Sequence, residues 1–114
     1  MTVTIYHSPQ CSNSRRALEL IREAGIEPTI VEYLKTPLSA GQIAALVARM
    51  GVAVKDVVRF KQAEAAEAGI SENSPDAALL AVMAKYPVLM NRPIVVTGKG
   101  ARLCRPGDEV KSLL

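Results

Sequence analysis

Hydrophobic and polar positions change their period several times along this chain. Val3-Thr4-Ile5-Tyr6 is a short β-branched and aromatic run, and His7-Ser8-Pro9-Gln10 breaks it, so a first strand ends just before Cys11. From Ser12 to Ala24 the apolar residues Ala17, Leu18, Ile21 and Ala24 recur at helical spacing, and Gly25 supplies a left-handed stop. This places Cys11 at the amino end of the first helix. Thr29 to Leu34, entered after Pro28 and closed by Thr36-Pro37, reads as a second strand. A helix of that length between two strands permits a parallel βαβ unit with a right-handed crossover.

The middle of the chain is helical in pattern. Ser39-Ala40-Gly41-Gln42 fits a capping box, and Ile43, Leu46, Val47 and Met50 form one apolar stripe that stops at Gly51. Val54 to Arg59 and the Ala-rich Gln62 to Ala68 predict two shorter helical pieces, the second ended by Gly69. Ser74 as N-cap with Pro75 at the first helical position opens another helix, with Ala77, Leu80, Met83 and Ala84 on its buried side and an end before Pro87. Ile94 to Thr97 and Ala101 to Cys104 then predict a hairpin around Gly98-Lys99-Gly100, and Pro106 starts a final helix toward Leu114. The order is βαβ, a helical block, a β-hairpin and a helix. It predicts a single α/β domain over residues 1–114, with a mixed sheet of about four strands and helices on its faces.

Composition agrees with one ordinary core: 114 residues, 49% hydrophobic and 22% charged. The start MTVTIYHSPQC lacks a basic segment followed by a long apolar run, and nowhere do about eighteen apolar residues follow one another, so we expect no signal peptide, no membrane association and a cytoplasmic location. With one His and two separated Cys, no structural zinc site is expected, and reducing conditions disfavour a Cys11–Cys104 bridge. A net charge of +3 with only Tyr6, Tyr33, Phe60 and Tyr86 for stacking does not suggest a nucleic-acid partner.

The distribution of charge changes the picture more than its sum. No acid lies between Asp76 and Asp108, a stretch that carries Lys85, Arg92, Lys99, Arg102 and Arg105, and none lies before Glu19, where Arg15 and Arg16 follow Cys11. Brought together in space, the two stretches would surround a thiol with positive field, lowering its pKa and attracting small anions. Kept apart, they are solvated surface charge.

A cysteine at a helix start is favoured as thiolate by unpaired backbone N–H groups and the helix dipole, and the same N–H groups can hold an oxyanion beside the sulfur. Cys11-Ser12-Asn13-Ser14 is C-x-x-S, which excludes dithiol exchange within the motif. A low-molecular-weight tyrosine phosphatase loop would need arginine where this chain has Ala17.

Four segments together carry a family resemblance: Ile5-Tyr6-His7-Ser8-Pro9 with Cys11-Ser12-Asn13-Ser14-Arg15; Glu27-Pro28-Thr29-Ile30 with Tyr33-Leu34-Lys35-Thr36-Pro37; Asn91-Arg92-Pro93-Ile94-Val95-Val96-Thr97; and Arg102-Leu103-Cys104-Arg105-Pro106. The chain resembles the glutaredoxin-coupled arsenate reductases, which have a thioredoxin-like fold with a helical insertion before the hairpin. The resemblance implies an oxidoreductase acting on arsenate or a similar oxyanion, with no bound cofactor and with glutathione and glutaredoxin as reductants and partners. It places the nucleophile on Cys11, the thiolate-supporting histidine on His7, and the oxyanion-binding residues on Arg59, Arg92 and Arg105, with Ser14 beside them. It also implies a cis Arg92-Pro93 bond facing the cysteine. Alternation along a strand leaves Arg102 as a rival to Arg105. His7 as a plain loop histidine and Arg59 as a surface arginine remain the alternatives for those residues. Cys104 reads as a packed strand residue. The best-known members of the family have Gly-Thr where this chain has Ser12-Asn13. The rival class is a monothiol redox or redox-sensing adaptor of the same fold, resembling the Spx-type regulators, many of which carry the C-x-x-C that Ser14 removes here.

Overall fold

The computed structural model describes residues 1–114. They form two compact units, one of Met1–Thr36 with Arg92–Leu114 and one of Pro37–Asn91. No helix is long and apolar enough to cross a membrane.

The first unit holds the sheet. Strands β1 (Thr4–Tyr6), β2 (Thr29–Val31), β3 (Ile94–Thr97) and β4 (Gly100–Leu103) lie in the order β2-β1-β3-β4. β1 pairs parallel with β2 and antiparallel with β3, and β3 pairs antiparallel with β4, so the sheet is mixed as expected. Helix α1 (Ser12–Glu23) connects the parallel pair. Ile5 and Val95 from the sheet, with Val3 just before β1, meet Ala17, Leu20 and Ile21 of α1, together with Cys104, Val110 and Leu113. Ile5 and Val95 are direct cross-strand partners in this core. Burying aliphatic side chains of this size contributes on the order of 2 kcal/mol each.

Three expectations change in this unit. β2 stops at Val31 instead of continuing to Leu34. Its one neighbour is β1, whose chain leaves the ladder after His7 N–H donates to the Val31 carbonyl, and residues from Glu32 onward then turn, with Lys35 and Thr36 N–H both bonded to the Glu32 carbonyl. β4 begins at Gly100 and ends before Cys104, because Thr97 pairs with Gly100 and leaves Gly98-Lys99 as a two-residue turn. Gly100 has φ +147°, a conformation that a side chain would strain. The expected final helix is a 3₁₀ helix, Gly107–Leu113, capped by Pro106. Its buried residues are Gly107, Val110 and Leu113, a spacing of three that a 3₁₀ helix stacks on one side and an α-helix would splay.

The second unit is helical. In α2 (Ala40–Met50) the capping box is complete, with Ser39 Oγ accepting from Gln42 N–H and Gln42 Oε1 from Ser39 N–H, and Gly51 closes the helix in the left-handed region. Ile43, Leu46 and Val47 are its buried stripe, and α2 packs against α4 (Asp76–Lys85). A short α3 (Ala63–Glu67) lies between them in sequence.

The segment read as a helix to Arg59 is a 3₁₀ turn ending at Val57. Val58 is extended and bridged to Met90, with Arg59 N–H on the Leu89 carbonyl and Asn91 N–H on the Val57 carbonyl. Pro75, not Ser74, caps α4, because Ser74 Oγ is occupied by Ser71 N–H. Leu79 and Met83 are its buried residues, and Ala77 is exposed. No polar residue between Asp76 and Lys85 marks a solvent face, which is why the apolar pattern misassigned the stripe.

Candidate active site

β1 delivers the chain to a tight loop whose last residue, Cys11, is the N-cap of α1. Cys11 N–H bonds to the Ser8 carbonyl at 3.0 Å, and Arg15 N–H bonds to the Cys11 carbonyl at 3.0 Å, which fixes the cysteine at the helix mouth. Ser14 is fully buried; its Oγ accepts from Ser8 N–H at 3.3 Å. Arg15 closes the loop from outside by donating to the Pro9 carbonyl. No acid lies in the first turn of α1 to oppose a negative charge there.

The second half of the site comes from the far end of the chain. The Arg92-Pro93 bond is cis, as is Arg105-Pro106. Arg105 Nη1 stands 3.7 Å from Cys11 Sγ and donates to the Arg92 carbonyl at 2.9 Å, so one guanidinium nitrogen bridges the sulfur and the residue before the first cis-proline. The two acid-free stretches therefore do meet around a thiol. Of the two candidate arginines near the hairpin, Arg105 is the one on the sulfur.

The Cys11 thiol is held below its ordinary pKa. Partial burial opposes ionisation, but the Ser14 backbone N–H, the Ser14 hydroxyl, the Asn13 backbone N–H and the Arg105 guanidinium together outweigh it. Both cysteines are free thiols, and Cys104 is the opposite case: fully buried, with burial pushing its pKa up to about 12.

The other expected residues are placed as follows. Ser14, expected on the substrate, has no exposed surface, and its hydroxyl is engaged with the sulfur and with Ser8 N–H instead. His7 is buried, its Nδ1 has no hydrogen-bond partner, and no side-chain bond joins it to Cys11. Burial, reinforced by Arg22 and Arg15 against the pull of Glu32, lowers its pKa and keeps the imidazole neutral. Arg59 belongs to the helical unit, where its Nη1 lies 3.5 Å from the Val88 carbonyl.

Sequence reasoning missed Asn13 and Gly107. Asn13 Oδ1 accepts from Gly107 N–H at 3.2 Å, tying the Arg105-Pro106 turn to the cysteine loop. The signal was an amide side chain near a helix start, free to accept outside its own helix, and a glycine directly after Arg105-Pro106.

A four-stranded mixed sheet with an activated thiol at the mouth of its first helix and an arginine guanidinium over its sulfur is a thioredoxin-like arrangement suited to thiolate chemistry on an anion. A family model described as the ArsC family matches residues 6–113. An arsenate reductase of Rhizobium meliloti is 49% identical over the whole chain and 82% of its own length, and one of Escherichia coli K12 is 44% identical over 98% of the chain and 80% of its own length. Among solved structures, an arsenate reductase from Vibrio cholerae superposes with a TM-score of 0.94 at 38% identity, covering all of this chain and 98% of its own. The chain belongs to the ArsC family.

Proposed function

We propose that this protein is a cytoplasmic arsenate reductase, an oxidoreductase that uses glutathione and glutaredoxin and works as one domain over residues 1–114. The observation that carries the reading is the Arg105 guanidinium 3.7 Å from the sulfur of a helix-capping cysteine. The relatives bearing the arsenate reductase name support the substrate.

In this reading Cys11 thiolate attacks arsenic and displaces one oxygen as water, forming a sulfur–arsenic bond. Backbone N–H groups at the α1 terminus and the arginines Arg92 and Arg105 neutralise the remaining oxyanion, and Arg59 joins them on the strength of the family resemblance. Arginine suits this role because its planar fork bonds two oxygens and stays charged. Ser14 keeps the sulfur ionised. His7, a buried imidazole with a lowered pKa and no side-chain bond to Cys11, is assigned support of the thiolate by the family resemblance alone. Glutathione then attacks the adduct, glutaredoxin supplies the third thiol, and these two leave as a mixed disulfide. Arsenic gains their two electrons, and water then cleaves the remaining sulfur–arsenic bond, releasing arsenite and returning Cys11 as thiolate.

The test is a coupled assay containing arsenate, glutathione, glutaredoxin and a reductant for the glutathione pool. Arsenite formed by the wild type and not by Cys11→Ser supports the reading. No arsenite from a protein whose Cys11 still alkylates rapidly rejects arsenate as the substrate.

A further inference from the structure

Arg105 has an exposed side chain, yet its guanidinium is aimed at one sulfur, so something must hold the backbone beneath it. On its amino side the chain is anchored by Cys104, which is buried in the core and donates its N–H to the Pro93 carbonyl at 2.9 Å. On its carboxyl side the anchor is Gly107. A Cβ there would stand 2.5 Å from the Asn13 carbonyl oxygen and 2.9 Å from Ala17 N, so the glycine lies flat against the first turn of α1. Its N–H points at Asn13 Oδ1. The next residue, Asp108, pairs with Arg16 at 3.2 Å, but across an exposed surface where an ion pair fixes little.

Residue 13 thus faces the chemistry twice. Its backbone N–H is one of the groups directed at the Cys11 sulfur, and its side chain holds the turn that carries Arg105. We propose that Asn13 is a positioning residue, whose side-chain amide sets the placement of Arg105 over Cys11 by clamping Gly107 to the start of α1. This rests on the reading of Cys11 as the nucleophile and adds to it a residue that touches neither sulfur nor oxyanion with its side chain. Gly107 is the other half of the clamp, because only a residue without Cβ approaches closely enough to present its N–H to Oδ1.

The experiment is a double-mutant cycle read by alkylation of Cys11 with iodoacetamide across pH, which needs no arsenate and which buried Cys104 does not obscure. Asn13→Ala is expected to raise the midpoint of Cys11 ionisation, and Arg105→Ala to raise it as well. The double variant is expected to match Arg105→Ala alone, because Asn13 acts only through that arginine. Asn13→Gln, which displaces the acceptor by one methylene while keeping the amide, is the second variant and should follow Asn13→Ala. Arg16→Ala, which removes the exposed ion pair to Asp108 on the same turn without touching the clamp, should leave the midpoint where it is. In the coupled arsenate assay Asn13→Ala should lose roughly tenfold in kcat/KM, the worth of one oriented hydrogen bond. An unchanged midpoint in Asn13→Ala and Asn13→Gln, shifts that add in the double variant, or an equal shift from Arg16→Ala would overturn the proposal. Absence of arsenite formation alongside a non-additive alkylation cycle would instead reject the substrate and leave the clamp standing.

Discussion

Cys11 and Cys104, the only two thiols of the chain, are driven in opposite directions by their surroundings. Cys104 sits in the apolar core between sheet and α1, where burial raises it to about 12, while Cys11 sits among N–H donors that hold it down. The pair should separate cleanly in the rate of alkylation against pH. Cys11 is expected to titrate below the ordinary thiol value of about 8.5, and Cys104 to remain unlabelled while the protein is folded. Cys11→Ser should abolish arsenite formation and Cys104→Ser should leave most of it. Equal loss from both substitutions would mean an internal disulfide takes part.

The arginines should behave as forks and not as a diffuse positive field. Arg92→Lys and Arg105→Lys each retain the charge and lose the bidentate geometry, and loss of one oriented donor to an oxyanion costs on the order of 3 kcal/mol, roughly a hundredfold in kcat. Arg102→Lys is the control on the same hairpin and should change the rate little. Steady-state kinetics on the three variants decide the matter. A comparable loss in Arg102→Lys would defeat the assignment.

His7 should resist protonation. Its folded pKa is lowered, so below the unfolded value of about 6.5 the unfolded chain binds more protons than the folded one, and stability falls as pH drops through that value toward the folded pKa. A titration of the single histidine by NMR should give a midpoint below that of a free imidazole. His7→Gln should flatten the decline of thermal stability between neutral and mildly acidic pH. An ordinary midpoint would remove the case for a neutral His7 beside the cysteine loop.

Gly107→Ala should destabilise the protein by about 1–3 kcal/mol, the usual cost of forcing atoms into a filled space. The added carbon would stand 2.5 Å from a backbone oxygen of α1, an atom that cannot swing aside as a flexible side chain would. Urea unfolding monitored by circular dichroism measures the loss. Gly98→Ala, on the open hairpin turn with no atom within 4 Å of the new carbon, is the comparison and should change stability far less.

Much of this fold is written in local pattern. The stripe Ile43, Leu46, Val47 with its capping box at Ser39, the stop at Gly25 and the β-branched runs of β1 and β3 all follow from signals that one element carries by itself. What local pattern could not decide depended on neighbours. β2 ends where its only partner strand turns away, Val58 is drawn out of a helix by the Met90 backbone, and the last segment winds as a 3₁₀ helix that buries Gly107, Val110 and Leu113 on one side. In the site, Cys11 at a helix mouth was legible from a strand, a loop and a helix in succession. Strand alternation alone could not choose Arg105 over Arg102, as the resemblance did, since the choice turns on how the chain runs after β4 and on the Asn13 contact. Ser14, which the resemblance sets beside the oxyanion-binding arginines, is fully buried in the structure, because a hydroxyl near a cysteine gives no hint of its direction in the sequence.

Two of the groups that steady the Cys11 sulfur are main-chain N–H groups, those of Asn13 and Ser14. Point mutation replaces side chains and leaves amides in place, proline excepted. The reactivity of the thiol is therefore insured, to that extent, against drift in the letters at these positions, provided the helix still starts where it does. At residue 13 the amide on the sulfur is kept whatever the letter, while the side chain that holds Gly107 is not. Arg92 and Arg105 have no such insurance, since what they offer lies in their side chains. Exchanging an arginine there would change which anion the pocket welcomes and, at Arg105, also how readily the sulfur beneath it ionises.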